Sequence, residues 1–331
     1  TNFASTRIEK GSDVRDSSRF DISFDLGNHL LKIGTETENL TAENATRYSG
    51  TGNYWYLDVD QTAGNTEGWM QTCDDLYPAS ATTTFTCSDD PMYTSIAGVW
   101  RYISGGTFTT ENSAFYISDT FDIGDRLTIE AGIRSSSFNN NNADGETFIG
   151  VDKQVAPRFA AVYNSGNANQ SKWFGSYGEY YLPIATNTNI RMSGAEFYTE
   201  SYYQWDGNLD NVTDAGPTNK NFLYTDEYAD GTVPDVAAVL DQNIKPMYQS
   251  EFILGNEQVL ANGLVLGVKA IYRDLATTIE DILIDEGMWN HFAGTENEDD
   301  ILAYYGGSSH YVLTNPGTDI KVYDEVTGEV V

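Results

Sequence analysis

Apolar and polar residues alternate along several short segments of the chain, and these segments come in pairs joined by tight turns. Around the turn at Gly27-Asn28, apolar residues occupy every second position: Phe20, Ile22, Phe24, Leu31 and Ile33. A period of two residues places successive side chains on opposite faces of a β-strand. The pattern therefore predicts a β-hairpin.

Three further segment pairs follow the same rule: 113–121 with 126–134, 155–163 with 172–181, and 250–257 with 264–273. Each predicted strand has an apolar and a polar face. The apolar positions include Leu127, Ile129, Ile133, Leu264, Leu266 and Val268. The charged residues on the polar faces are Lys32, Glu36, Glu130, Arg134, Arg158, Lys269 and Arg273.

Alternation fits two kinds of β protein, which differ in what each face contacts. A soluble sandwich packs its apolar faces together and shows its polar faces to water. A membrane β-barrel inverts this arrangement, because its apolar face contacts lipid and its polar face lines the lumen. The period of two alone does not choose between them.

Connection lengths favour the barrel. The turns within pairs span a few residues, but the connections between pairs are long: 39–107, 135–152, 183–244 and 281 onward. Outer-membrane barrels combine short periplasmic turns with long outer loops, whereas compact soluble domains rarely carry such loops. We predict an all-β fold, an antiparallel transmembrane β-barrel segment of about eight strands, with residues 1–331 in one barrel domain. Both chain ends would then lie on the extracellular side, so we expect an internal portion of a larger barrel.

Composition supports a β fold and restricts the partners. The chain has 22 Tyr and 15 Phe but only 18 Lys and Arg, which favours strands over long amphipathic helices. The formal charge of −31 excludes nucleic acid and anionic bilayer surfaces as natural partners. Cationic or metal-bridged partners fit better, although acidic loops that keep the protein soluble explain the charge equally well.

The aromatic residues concentrate at predicted strand ends and in the connections. They include Tyr54, Trp55, Tyr56, Trp100, Tyr102, Tyr180, Tyr181, Tyr198, Tyr202, Tyr203 and Trp205. Some would form the aromatic girdle at the membrane boundary, and others would contact an extracellular ligand. The segment 189–205 alternates like a strand, so we expect strands to project beyond the bilayer there.

Cys73 and Cys87 lie in a polar stretch without a nearby His, and we predict a disulfide and an oxidising compartment. Two free thiols are the alternative. No run of eighteen apolar residues predicts a transmembrane helix, and the polar start predicts no signal peptide.

Catalytic signatures are missing from the sequence, so we predict that the chain is not an enzyme. The three histidines, His29, His291 and His310, are far apart, and His29 falls in a turn. Acidic loops suggest a weak Ca²⁺ hypothesis, though the EF-hand spacing is not met. Its candidate ligands are Asp58, Asp60, Glu67, Asp285, Glu286, Glu296, Glu298, Asp299 and Asp300. No other cofactor is expected.

Several segments together resemble the Oar-like family of TonB-dependent outer-membrane receptors. They are NSAFYISD (112–119), RLTIEAGIR (126–134), VAPRF (155–159), FGSYGEYY (174–181), YRDL with IED (272–281) and TNPG (314–317). The resemblance covers residues 18–317 in order. It implies a Gram-negative outer-membrane protein whose barrel of about 22 strands surrounds a plug. The plug, the TonB box and the remaining strands are not among these residues.

The resemblance implies uptake of a nutrient, such as a peptide or an oligosaccharide, through acidic, aromatic-rich extracellular loops. The expected partners are the plug domain, the TonB-ExbB-ExbD system acting through it, outer-membrane lipid and an extracellular ligand. The charges on the polar faces would pair across strands or contact the plug. The main alternative is a secreted or surface-anchored soluble β-rich binding protein, in one version calcium-dependent. A surface hydrolase with a β-sandwich core is a third.

Overall fold

The computed structural model of the protein describes residues 7–57, 95–166, 170–306 and 309–331. It is an all-β structure with mostly antiparallel strands and a few short helices. The strands are β1 (Arg7–Asp25), β2 (His29–Tyr48), β3 (Asn53–Leu57), β4 (Ser95–Ile123), β5 (Leu127–Asn141), β6 (Thr147–Asn164), β7 (Ser171–Leu182), β8 (Ala195–Trp205), β9 (Val212–Thr213), β10 (Gly216–Pro217), β11 (Lys220–Asp230), β12 (Met247–Val259), β13 (Val265–Thr277), β14 (Glu280–Leu283) and β15 (Tyr311–Thr314). The helices are α1 (Thr186–Met192), α2 (Val236–Val239), α3 (Asp285–Phe292) and α4 (Glu298–Tyr305), with a 3-10 turn at Leu209–Asn211.

The chain forms two compact units, which are described separately. Unit 1 comprises Thr1–Ser12, Glu43–Gly106 and Gly194–Val233. Unit 2 comprises Asp13–Ala42, Thr107–Ser193 and Pro234–Val331. The long strands β1, β2 and β4 contribute residues to both.

Antiparallel strands build most of unit 2. The main hydrogen-bonded path of the eleven-stranded sheet runs through eight strands, β1-β2-β4-β5-β6-β7-β12-β13, which confirms the predicted hairpins as neighbouring strands. Alternating aromatic and β-branched residues suit such strands because they pack well on a pleated surface. In the turn between β12 and β13, Gly263 adopts a φ of 81°, a conformation that glycine accepts without steric cost.

Two of the long loops predicted from the sequence, 135–152 and 183–244, contain strands. Only residues 142–146 separate β5 from β6, because both strands extend into the predicted loop 135–152. The segment 183–244 contains α1, four strands and α2. Strand pairing satisfies the backbone N–H and C=O groups of these segments, which a structureless loop would leave to water. The prediction of strand for 189–205 holds only from Ala195, since residues 189–192 belong to α1.

Unit 1 contains a second group of antiparallel pairs. β3 pairs with the first part of β4, β4 pairs with β8, and β8 pairs with β11. The register places Trp55 opposite Val99 and Ala97 opposite Tyr203. These residues share one face, where Trp55, Leu57, Ala97, Val99 and Trp205 form a buried apolar cluster.

The C-terminal part of unit 2 forms a small lobe. β14 pairs with β15, and α3 packs with α4 around a core that includes Met288, Ile301 and Val312. Among the described residues, no helix is long and apolar enough to cross a bilayer.

Candidate functional site

In unit 2, two adjacent cross-strand rows place aromatic and charged side chains on opposite faces of the sheet. One cross-strand row places Phe159, Tyr177, Phe252 and Tyr272 side by side on neighbouring strands. All four side chains are exposed, as are Ile133 and Trp173 on the same face. We call this the apolar face. Soluble proteins rarely expose apolar patches that extend over several strands, so such a face indicates an interaction surface for protein or lipid.

The next row of the same strands lies on the opposite face and is charged. It places Arg158, Gly178, Glu251 and Arg273 side by side, and the Arg273 guanidinium bonds to the Glu251 carboxylate. We call this the polar face. The strict alternation of the two rows follows from the period of two in each strand.

Ion pairs link neighbouring strands on the polar face. Arg134 Nη1 lies 3.1 Å from Glu36 Oε2, and Lys172 Nζ lies 3.2 Å from Glu257 Oε2. Lys32 Nζ lies 3.8 Å from Asp21 Oδ1. Such part-exposed pairs contribute little stability, typically about 0–1 kcal/mol, so their effect is mainly to keep a charged surface locally neutral.

Two glycines leave room for aromatic rings on the polar face. A side chain at Gly34 would overlap the Tyr116 ring, and one at Gly255 would overlap the Phe174 ring. Gly255 lies directly opposite Phe174 on the neighbouring strand. The glycines therefore let bulky rings lie flat against the sheet.

The lumen-facing and lipid-facing residues predicted from the sequence fall on opposite faces. The polar face and its cross-strand pairs include Lys32, Glu36, Arg134, Arg158 and Arg273. Glu130 and Lys269 lie in register with this face and are exposed. Ile129 and Ile133 lie in rows of the apolar face, Leu127 lies opposite Tyr163, and Val268 lies opposite Asn256. Leu264 and Leu266 are exposed at the start of β13. What covers each face remains a prediction.

A tyrosine-rich surface occupies one face of the sheet in unit 1. Alternation along β8 puts Tyr198, Glu200 and Tyr202 on this face, and Tyr203 and Trp205 on the face that holds the apolar cluster. The Glu200 carboxylate is buried and accepts hydrogen bonds from both tyrosine hydroxyls, with the Tyr202 bond at 2.7 Å. We call this surface the tyrosine face.

Further rings extend the tyrosine face across the neighbouring strands. The Tyr198 ring stacks on Tyr228 at 4.9 Å, and the Tyr202 ring stacks on Tyr224 at 4.8 Å. On β4, the Tyr102 hydroxyl donates to Glu196, and the Arg7 guanidinium lies 4.5 Å from the centre of the Tyr102 ring. Aromatic rings beside carboxylates bind flat apolar groups and cations.

The protonation of the tyrosine face is set by burial. Burial and the hydrogen bonds to Glu200 raise the pKa values of Tyr198 and Tyr202 well above that of free tyrosine. Both hydroxyls therefore remain donors to the carboxylate. Next to the apolar cluster, the Lys220 ammonium lies 4.6 Å from the Trp55 ring, and burial lowers its pKa.

The predicted disulfide and calcium ligands lie partly outside the described residues. Cys73, Cys87, Asp58, Asp60 and Glu67 lie outside the described residues. Within the described ranges, no group of three or more His, Cys, Asp or Glu side chains is arranged to hold a metal ion. Asp299 and Asp300 are exposed in the first turn of α4.

Two of the former candidates have partners within the protein. Asp285 is buried and its Oδ1 lies 2.8 Å from His310 Nδ1, while the Glu298 carboxylate accepts from the Gly294 N–H. His29 was predicted in a turn, and the structure places it directly after the turn at Gly27-Asn28. It begins β2, stacks on Phe121 at 4.3 Å, and its Nδ1 lies 2.8 Å from Asp119 Oδ2.

Sequence reasoning identified the tyrosines but missed the acid between them. Glu200 stands in an alternating Tyr-Thr-Glu-Ser-Tyr stretch, and that alternation was the available signal. Its burial depends on rings from β4 and β11, which the local sequence does not reveal.

Comparison with known proteins gives a distant relationship. No protein family profile and no solved structure matches this chain. The chain is 23% identical over 338 aligned positions to a protein of Myxococcus xanthus described as TonB-dependent transporter Oar, with 91% of this chain aligned. It spans 28% of that relative's length. The similarity therefore supports a relationship to TonB-dependent receptors and no closer assignment.

Proposed function

We propose that the chain forms part of the barrel wall of an outer-membrane transporter related to TonB-dependent receptors. The observation that carries this proposal is the alternation of an exposed aromatic row with a charged row across the same four strands of unit 2. In this proposal the apolar face contacts lipid and the polar face lines an aqueous lumen. The distant relationship to an Oar transporter supports the same assignment.

In the complete transporter, a plug and the TonB-ExbB-ExbD system acting through it would control passage of the substrate. The tyrosine face would contact the nutrient, a peptide or an oligosaccharide, outside the bilayer. Stacked rings beside Glu200 and Glu196 support this role, since rings bind flat apolar groups and carboxylates bind polar or cationic ones. The charge of −31 makes nucleic acid an unsuitable ligand.

Cysteine labelling of intact cells tests this topology. Asp144 lies in the turn between β5 and β6, and Asn262 lies in the turn between β12 and β13. These turns are at opposite ends of the strands, because an odd number of strand crossings separates them along the sheet path. We expect a membrane-impermeant maleimide to label Asp144→Cys on intact cells and Asn262→Cys only after the outer membrane is permeabilised.

Two results would contradict the proposal. One is equal labelling of both positions on intact cells. The other is release of the protein from membranes by a salt or alkaline wash without detergent. The second result would favour the soluble binding protein, whose apolar faces pack against protein.

A further inference from the structure

A small recess opens on the polar face of unit 2. The proposed role as part of a barrel wall does not explain it. It has a volume of about 200 Å³ and is bounded by β2, β4, β5, β6 and the end of β7. Its polar lining includes Asn112, Gln154, Ser136, Glu36, Glu38 and Arg134. Whole ligands usually occupy about 300–1,000 Å³. The recess therefore has room for one residue-sized group of a larger ligand.

Two amide groups in this recess have unused hydrogen-bonding capacity. Gln154 is 5% exposed, and its side-chain nitrogen has no hydrogen-bond partner among the described residues. The side-chain oxygen of Asn112 is likewise buried without a partner in that part of the chain. An unpaired buried polar atom is costly, so proteins rarely keep one without a reason. The two side chains thus carry one donor and one acceptor that a ligand in the recess can engage once each amide rotates toward it.

The charged groups around the recess are already paired. The Arg134 guanidinium bonds to Glu36, and Glu38 is bound by Arg15 and by the Asn112 side-chain nitrogen, the latter at 3.2 Å. A charged ligand would have to replace these partners. The free groups therefore favour a neutral ligand that carries both an acceptor and a donor.

The other wall of the recess is apolar and partly aromatic. Phe138 is buried there, and Tyr181, Pro183 and Ala114 complete this side. A planar group can pack against these apolar side chains while its edge makes hydrogen bonds. A carboxamide or peptide group is planar and neutral, and presents one C=O and an N–H at its edge.

We propose that this recess binds a carboxamide or peptide group, whose C=O accepts from the Gln154 amide and whose N–H donates to the Asn112 carbonyl. As a subsite for a peptide substrate, this assignment rests on the proposed uptake function. The same group can also be presented by another part of the protein itself. The binding chemistry itself is measured without transport or membrane insertion.

Calorimetric titration of the full-length protein in detergent tests the assignment. The probe is the neutral tripeptide N-acetyl-Ala-Gln-Ala amide. We expect Gln154→Met and Asn112→Leu each to weaken its binding by about tenfold, the loss expected for one hydrogen bond between buried groups. Gln258→Met is the matched control, because Gln258 lies on β12 away from the recess, and it should leave the affinity unchanged.

A thermal melt separates loss of binding from loss of folding. Because Gln154→Met removes a buried amide nitrogen that has no hydrogen-bond partner among the described residues, the unliganded variant should melt at the same or a higher temperature than the wild type. A lower melting temperature for Gln154→Met would mean that the amide supports the fold, and would overturn the assignment.

Photocrosslinking distinguishes the two sources of the peptide group. p-Benzoylphenylalanine is introduced at Ser136, a part-exposed residue of the recess that lies on the polar face. Crosslinking to the added tripeptide indicates a free ligand, whereas a Gln154-dependent crosslink within the protein indicates an internal one. The proposal is overturned if neither forms, or if methyl glucoside binds with the same dependence on Gln154 while the tripeptide does not. The labelling of Asp144→Cys and Asn262→Cys tests the proposed role in the barrel wall separately from this binding experiment.

Discussion

Strands in both units alternate apolar and polar residues, but unit 1 buries apolar side chains that unit 2 leaves exposed. The strand β4 contributes residues to both units. In unit 1, Ala97 of β4 is 0% exposed and packs in a cluster with Trp205, which is also 0% exposed. In unit 2, Phe115 of the same strand is 54% exposed. Alternation therefore specifies that a strand has two faces, and the strands that pair around it decide whether the apolar face is covered.

The carboxylates of the two units differ in the same way. Glu200 in unit 1 is buried, and two tyrosine hydroxyls satisfy it. Glu36 in unit 2 is part-exposed and paired with an arginine. Hydroxyl donors satisfy a buried carboxyl group without bringing a second charge into the surface, whereas a wet face tolerates ion pairs.

The largest expected effect contrasts two tryptophans. Trp205→Ala removes a fully buried ring and should lower the free energy of unfolding by about 3–5 kcal/mol, the usual cost of truncating a core aromatic residue. Trp173, on the apolar face of unit 2, is 52% exposed, so Trp173→Ala should cost clearly less. Urea unfolding in detergent measures both. Equal losses would show that the two faces are covered to the same degree.

A charge on the apolar face gives the next largest effect. Ile133→Arg should cost about 2–4 kcal/mol in lipid bilayers if this face contacts hydrocarbon. Thr128→Arg lies on the same strand but on the polar face, and serves as the control with little expected change. Folding into lipid vesicles, followed by urea titration, gives both values. A neutral Ile133→Arg variant would mean that water, not lipid, covers this face.

Removing the buried acid of the tyrosine face should have an intermediate effect. Glu200→Ala leaves the hydroxyls of Tyr198 and Tyr202 without their acceptor, which should cost about 1–3 kcal/mol. Glu227→Ala, at an exposed position of β11, is the control and should change stability by less than about 0.5 kcal/mol. Chemical denaturation measures both. If both variants had the same free energy of unfolding, the hydrogen bonds from the tyrosine hydroxyls to Glu200 would not stabilise the fold.

Alkaline pH should weaken unit 1 by a smaller, graded amount. The pKa values of Tyr198 and Tyr202 are raised by burial and by Glu200, so the unfolded chain loses these protons first as pH rises. The stabilisation is complete below the ordinary tyrosine pKa of about 10 and declines above it as pH approaches the raised values. Absorbance at the tyrosinate band and unfolding midpoints between about pH 9 and pH 11 test this. A stability that is flat in this range would contradict it.

Local pattern in the sequence was sufficient for the hairpins and for the division of residues between faces. Ile129 and Glu130 fall on opposite faces because successive side chains of any strand do so. Tight turns also have local signatures, such as Asn262-Gly263 between β12 and β13. These features depend on neighbouring residues only, which explains why periodicity predicts them.

Other features depended on contacts between distant segments. The sequence predicted loops at 135–152 and 183–244, whereas long-range pairing forms strands within both segments. The helix α1 interrupts a stretch that alternates like a strand. Glu200 and Gln154 look like ordinary surface residues in the sequence. Only the fold buries Glu200 among tyrosines and leaves the Gln154 side-chain nitrogen without a partner among the described residues. Burial and hydrogen bonding arise from strands that are far apart along the chain.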